Sequence, residues 1–499
     1  MPLSTKKSSV LRQRPPMACC WGLLTLLIGL VGLGGGMHRR PVEAAEPAAA
    51  PPVGADWLEA AERLIASARP VSDRLAGLIE SWPLPDELSP LDRQLIISLP
   101  ADPAAPDWLP AAAEPLWERF ADLRRQRAAW YFAKATTAAN GEAGSQPATR
   151  AAAAQETVRL LSRVIREDPD HAQARQGLGY VEHDGRWVWP NVARRLARGE
   201  TYSPAAGWLR AGGPPPSDSR SAEPPSDPPT LAAADMFQTA HWQIRSTAGQ
   251  AAAAALAARL EQTRDIWLQA FGGFAVDPRG LRQRLDGRRR LRPTAAFQAV
   301  LLADRRQYIG ELQQLEPRIA QTLGIYWTPT QTAWFFVGDE PPALTIEHEA
   351  THQLFAEYRP TNRLAGERCG MWALEAVACH MESLQPTSFG FTLGGRDAGR
   401  VPAARERLLN DGFFIPLRDL CNRGRLDLQR DPRLPQIYSQ ISGLADFFLN
   451  AQQGRFRGCF LEYLRRIYAG TARADTLWRL CEVSPETLDE AYRRYLARP

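Results

Sequence analysis

The sequence predicts an α+β fold, with a small, mostly antiparallel sheet packed on a histidine-bearing helix, a helical C-terminal subdomain and an α-helical N-terminal region. Three observations support this. β-Branched and aromatic runs alternate with helical patterns up to residue 337, and helical patterns alone follow to the C-terminus. A Pro/Ser-rich stretch at 211–230 separates these elements from the earlier helices. At 499 residues the chain exceeds one ordinary core, so we expect two or three units.

The first 45 residues have the pattern of a targeting segment. Four basic residues precede an uncharged, mostly apolar run at 17–37, and Val42-Glu43-Ala44 offers a small-residue cleavage site. This pattern predicts a signal peptide and export to the periplasm, the cell envelope or the medium. Because the apolar run is long and Arg39-Arg40 follow it closely, an uncleaved membrane anchor is the alternative.

Residues 46–210 are predicted to be helical and accessory. Helical apolar spacing runs through 46–136, and a polar Ala/Gly/Ser link follows it. Residues 151–210 resemble one tetratricopeptide-type helix pair with a small hairpin that turns at Asp184-Gly185. We expect this region to recruit a protein partner, and we expect the linker at 211–230 to be extended.

The region from 231 to 499 begins with sheet elements. Strands are predicted at 241–246 and 297–303, each followed by a helix, at 251–271 and 306–323. Ile325–Trp327 and 332–337 are predicted to form a hairpin, and Asp339 with Pro341-Pro342 suits the start of the next helix.

That next helix carries the motif His348-Glu349-Ala350-Thr351-His352. A spacing of four residues stacks the two imidazoles on one helix face, where both can reach one metal ion. Glu349 lies about 100° around the helix from His348, close enough to accept a proton from a metal-bound water without being a ligand. This arrangement predicts a Zn²⁺ site with Glu349 as the general base.

Two histidines leave a catalytic zinc ion one protein ligand short. The run Met371–Ser383 is a second helical pattern, and Glu375 near its start is the predicted third ligand. Its apolar neighbours indicate a buried helix, where an unpaired carboxylate is costly. Glu382 is the alternative ligand or a partner of a ligand.

At these residues the chain resembles the gluzincin metallopeptidases, most of all an exported bacterial family with such a domain, over roughly 231–496. Trp372, Glu375, Ala378 and Glu382 fit their ligand-helix pattern, whereas Ala376 stands where Gly is usual and Cys379 where an acid is common. The resemblance implies a peptide or protein substrate and a substrate-pairing edge strand, which we place at 332–337. It also implies a later Tyr or His that stabilises the oxyanion. Tyr438, at the start of a downstream helix, is the candidate, with a packing role as the alternative. Weaker candidates are Arg363 and Arg368.

The composition is consistent with this reading and excludes one other class. Net charge is only +5, and no basic stripe is interleaved with aromatic residues, so nucleic-acid binding is not expected. Five cysteines remain after signal cleavage. A disulfide between Cys369 and Cys379 and buried free thiols are equally consistent with the sequence. The function readings are an exported zinc peptidase, a catalytically inactive scaffold with a structural metal, and a non-peptide zinc hydrolase.

Overall fold

The computed structural model describes residues 55–82, 93–98, 105–140, 146–210, 229–288, 292, 294–338 and 344–498. The predicted targeting segment, most of the 211–230 linker and the Asp339/Pro341-Pro342 helix start lie outside these residues. Within the described ranges, none of the helices combines the length and apolar character needed to cross a bilayer.

The N-terminal part is mostly helical, as predicted, but it also contains a strand at Gln94–Ile97, inside the stretch 46–136 that was predicted to be helical. Its helices are α1 (Ala55–Ala68), α2 (Asp73–Ser81), α3 (Glu114–Asn140), α4 (Pro147–Glu167), α5 (Ala172–Leu178) and α6 (Pro190–Leu196). A short 3₁₀ turn at Ala111–Ala113 leads into α3. Two hairpins accompany them: β2 (Val181–His183) with β3 (Arg186–Val188), and β4 (Thr201–Ser203) with β5 (Gly207–Leu209). Asp184 and Gly185 both have positive φ, 50° and 72°, which confirms the predicted two-residue turn.

This part packs directly against the C-terminal half of the chain. Strand β1 (Gln94–Ile97) pairs antiparallel with a strand almost 300 positions later, β12 (Gly390–Leu393), which also pairs with β11 (Gln385–Thr387). The prediction that only helices follow residue 337 is therefore wrong, because β11 and β12 form a short hairpin there. The Gln269 side chain accepts a hydrogen bond from the Ile97 N–H at 3.0 Å and donates one to the Ile97 carbonyl at 2.8 Å. Both contacts join the N-terminal part to the half of the chain that carries the motif His348–His352.

A five-stranded sheet forms the other layer. Its strands are β6 (Asp235–Gln238), β7 (Trp242–Ser246), β8 (Phe297–Leu302), β9 (Ile325–Trp327) and β10 (Thr332–Phe336), in the order β6-β7-β8-β10-β9. The outer pairs β6-β7 and β10-β9 are antiparallel, and the inner pairs β7-β8 and β8-β10 are parallel. Six of the eight strand pairs among the described residues are antiparallel, so the predicted α+β class is confirmed.

Two details of the sheet correct the sequence prediction. The segment 332–337 is not an edge strand over its first half, because Thr332–Trp334 pairs with β8 on one side and with β9 on the other, which leaves β9 at the edge. The helix predicted at 306–323 is interrupted. Helix α10 (Arg305–Leu312) ends before Pro317, whose ring cannot continue a helix, and only a 3₁₀ turn at Ile319–Gln321 follows.

The remaining helices build the core around the motif. They are α7 (Gln250–Ala270), α8 (Gly272–Ala275), α9 (Pro278–Leu285), α11 (Thr345–Glu357), α12 (Met371–Met381), α13 (Val401–Leu409), α14 (Leu417–Asn422), α15 (Arg425–Gln429), α16 (Leu434–Gly454), α17 (Arg457–Tyr468), α18 (Thr476–Cys481) and α19 (Pro485–Ala497), with a 3₁₀ turn at Leu231–Ala233. Phe355 of α11 packs edge-on against Trp267, Phe271 and Phe274. This aromatic cluster anchors the C-terminal end of α11 against α7 and α8.

One disulfide joins the C-terminal helices. Cys459 of α17 is bonded to Cys481 at the end of α18. Cys369, Cys379 and Cys421 are free, so the Cys369–Cys379 staple is not formed.

Candidate metal centre

Helix α11 places both motif histidines in the interior. His348 and His352 are each 2% exposed, and their Nε2 atoms are 3.2 Å apart. This separation follows from their spacing of four residues, which puts one ring above the other on the same helix face. Two imidazole nitrogens that converge in a buried space are a ready pair of metal ligands.

Helix α12 brings Glu375 to the same point. The chain enters this helix through Gly370, whose φ is +75° and where a Cβ would lie 2.8 Å from the Tyr463 hydroxyl. Only glycine adopts this conformation without strain and leaves room for that contact. Every residue of α12 is buried, and Glu375 is 5% exposed.

The three donor atoms form a triangle of suitable size for zinc. Glu375 Oε2 lies 3.5 Å from His348 Nε2 and 3.7 Å from His352 Nε2. With the 3.2 Å between the two nitrogens, the centre of the triangle is about 2.0 Å from all three atoms, which matches zinc–nitrogen and zinc–oxygen bonds of about 2.0–2.2 Å. These residues therefore fit a zinc ion with three protein ligands. We call His348, His352 and Glu375 the zinc set.

The other nitrogen of the His348 ring is held by Glu382. His348 Nδ1 lies 2.8 Å from Glu382 Oε1, and Arg400 donates to both oxygens of the same carboxylate at 2.6 and 3.1 Å. Burial would raise the pKa of Glu382, but His348 and Arg400 bring it below its ordinary value. A carboxylate on the outer nitrogen fixes the tautomer in which Nε2 is free to bind a metal.

Glu349 lies beside the zinc set without joining it. Its Oε2 accepts a hydrogen bond of 2.7 Å from the backbone N–H of Tyr326 in the edge strand β9. Burial raises the pKa of Glu349, while the two neighbouring histidines oppose the rise. A raised pKa suits a carboxylate that must take up a proton and release it again.

Tyr438 reaches the site from helix α16. Its hydroxyl donates a 2.7 Å hydrogen bond to Glu375 Oε2, the same oxygen that completes the zinc set. Burial and the charge of Glu375 raise the pKa of Tyr438, so the hydroxyl stays protonated and remains a donor. The structure thus brings Tyr438 to the predicted site, although its partner here is a ligand carboxylate.

The centre holds an excess of negative charge. The buried carboxylates Glu349, Glu375 and Glu382 face the guanidinium of Arg400 and the His348 ring. Burial lowers the pKa of His348, but Cys379, Glu375 and Glu382 bring it well above its ordinary value, so without a metal the ring carries a proton. Three carboxylates then face two positive charges, which leaves one negative charge. Burial raises the pKa of Glu375, yet the two histidines bring it well below its ordinary value, so it stays ionised. Uncompensated buried charge is costly, and a divalent cation would balance it.

Two contributors were missed by the sequence prediction. Arg400 lies 18 residues after Glu382, beyond the β11-β12 strand pair. Because the chain is rich in arginine, the sequence does not distinguish this one as a site residue. The Tyr326 N–H is a backbone group, visible only once β9 is placed over α11. The weaker candidates Arg363 and Arg368 are exposed, whereas the centre is buried.

Searches against protein-family models, curated proteins and solved structures return no match for this chain. The functional conclusion therefore depends on the geometry of the centre.

Proposed function

We propose that the protein is an exported zinc-dependent peptidase of the gluzincin type. The observation that carries the proposal is the convergence of His348, His352 and Glu375 on one point, with the Glu349 carboxylate beside them. A ligand set of this kind without a base would serve a structural metal equally well. The adjacent buried glutamate is what hydrolysis needs in addition.

In the proposed reaction each residue has a separate role. A bound zinc ion would supply Lewis acidity toward a water molecule and the substrate carbonyl. Glu349 accepts the proton of that water and passes it to the leaving amine. In this role Tyr438 turns its one O–H donor from Glu375 to the oxygen that gains negative charge. Glu382 and Arg400 keep the His348 ring in place.

Two further features agree with export and a peptide substrate. The Cys459–Cys481 disulfide suits an oxidising compartment, in keeping with the targeting pattern of the first 45 residues. The edge strand β9 lies over the motif helix through the Tyr326–Glu349 contact, so an extended peptide paired to this edge would pass near the base. This replaces the assignment of that role to 332–337.

The competing reading is an inactive scaffold with a structural metal. It is favoured by burial, because every residue of the zinc set is at most 5% exposed and substrate must gain access to it. A peptidase loses activity in Glu349→Gln, whereas an inactive scaffold has no activity that the substitution could remove.

The deciding experiment is a screen of zinc-loaded full-length protein against peptide libraries, with Glu349→Gln as the control. We expect cleavage by the wild type, and we expect the variant to retain zinc and lose activity by at least about 100-fold, because the water is no longer deprotonated. Loss of zinc from the variant would mean that Glu349 is a ligand. Equal cleavage by both proteins would refute the assigned base.

A further inference from the structure

A second group of donor atoms overlaps the zinc set. His348, Cys379 and Glu382 are all buried, and one ligand atom from each lies within 4.8 Å of the other two. We call these three residues the thiol set. Cys379 is 1% exposed and stands on α12 one turn after Glu375.

The two sets share the His348 ring but use its opposite nitrogens. Nε2 faces His352 and Glu375, whereas Nδ1 faces Glu382 at 2.8 Å. A neutral imidazole has one unprotonated nitrogen, which can bind a metal, and one N–H. His348 can therefore serve one of the two sets at a time while it remains neutral.

The donors of the thiol set favour a soft cation. Thiolate sulfur and imidazole nitrogen select thiophilic metals such as Cu⁺, Zn²⁺ or Cd²⁺ over Mg²⁺ or Ca²⁺. Arg400 already engages both oxygens of Glu382, at 2.6 and 3.1 Å, which leaves sulfur and nitrogen as the stronger donors.

We propose that the thiol set binds one thiophilic cation and that this cation competes with zinc for His348. Binding breaks the S–H bond of Cys379, and its proton leaves to solvent as the metal–sulfur bond forms. The proton of His348 moves from Nδ1 to Nε2, so that Nδ1 binds the new cation and Nε2 no longer binds zinc. No atom changes oxidation state. The competition, though not the thiol set itself, rests on the proposed zinc site.

The test uses Cd²⁺, because the ultraviolet charge-transfer band of a thiolate–cadmium bond reports the sulfur ligand directly. Zinc-free full-length protein is titrated with Cd²⁺ beside Cys379→Ser and the matched control Cys421→Ser, which removes another buried free thiol. Zinc-loaded samples are titrated in parallel, and released zinc is measured with a chromophoric chelator. Zinc content before titration shows whether each variant is folded at the centre.

We expect the wild type and Cys421→Ser to show the thiolate–cadmium band at about one equivalent of Cd²⁺ and to release zinc from the loaded samples. We expect Cys379→Ser to show no band and to retain its zinc. A band that persists in Cys379→Ser overturns the site. Zinc release that persists in Cys379→Ser, or a band without zinc release from the loaded wild type, overturns the sharing of His348. If no protein holds zinc, the proposed function fails, while the band in zinc-free protein still decides the thiol set.

Discussion

The contact between Glu382 and His348 gives the sharpest quantitative prediction. Glu382→Gln preserves size but removes the charge that accepts from His348 Nδ1 at 2.8 Å and from Arg400 at 2.6 and 3.1 Å. The ring loses its strongest positioning contact, and Arg400 loses its counterion. Loss of such a partner weakens zinc binding by about 10- to 100-fold, or about 1.4 to 2.7 kcal/mol.

The assay is the zinc dissociation constant, measured by competition with a chromophoric chelator at fixed pH. Glu347→Gln is the matched control. Glu347 is a neighbouring buried glutamate on α11 that pairs with Arg259 at 2.8 Å, and it belongs to neither donor set. We expect zinc affinity within about twofold of wild type for this control. An unchanged affinity in Glu382→Gln, or an equal loss in both variants, would refute the assigned role of Glu382.

Two other predictions concern Tyr438 and Glu357. Tyr438→Phe should lower kcat by about 100-fold when measured at saturating zinc, where the lost hydrogen bond to Glu375 does not limit zinc occupancy, because the hydroxyl is a donor and not a ligand. Tyr463→Phe, another buried tyrosine, is the control in kinetic assays, and equal kcat losses would leave Tyr438 a packing residue. Burial raises the pKa of Glu357 to about 7 from 4.5, against the opposing effect of Gln353 and Tyr326. The folded state therefore keeps a proton that the unfolded state releases, and stability falls as pH rises between those values. Glu357→Gln should remove this fall and gain about 1 to 2 kcal/mol at pH 8 relative to pH 4, allowing for partial exposure. Urea unfolding at both pH values measures it, and an unchanged pH dependence in the variant would contradict it.

The zinc set could be found from sequence because its geometry is local. His348 and His352 are four residues apart on one helix, so helix periodicity alone places them on the same face. Glu375 lies near the start of the next helical pattern, and the packing of α12 on α11 brings it to the two rings. Tyr438 was found for a weaker reason, since a helix that follows the site along the chain must fold back to cover it. Its hydroxyl does reach Glu375.

The features that could not be predicted from the sequence are those that depend on pairing between distant segments. Strand β1 joins β12 across almost 300 residues, and a register of that separation leaves no local pattern. The position of β9 at the edge, with β10 inside the sheet, depends on the parallel pairing of β10 with β8, which periodicity does not encode. Arg400 likewise reaches Glu382 only because the β11-β12 pair and the turn after it bring the chain back.

The most direct test of the account is the zinc content of the purified full-length protein, measured by elemental mass spectrometry beside His352→Ala and Glu375→Ala. The geometry of the zinc set predicts about one zinc ion per wild-type chain and little in either variant, because removal of one ligand breaks the three-donor triangle. Wild-type protein without zinc, or variants that retain it fully, would contradict the proposed centre.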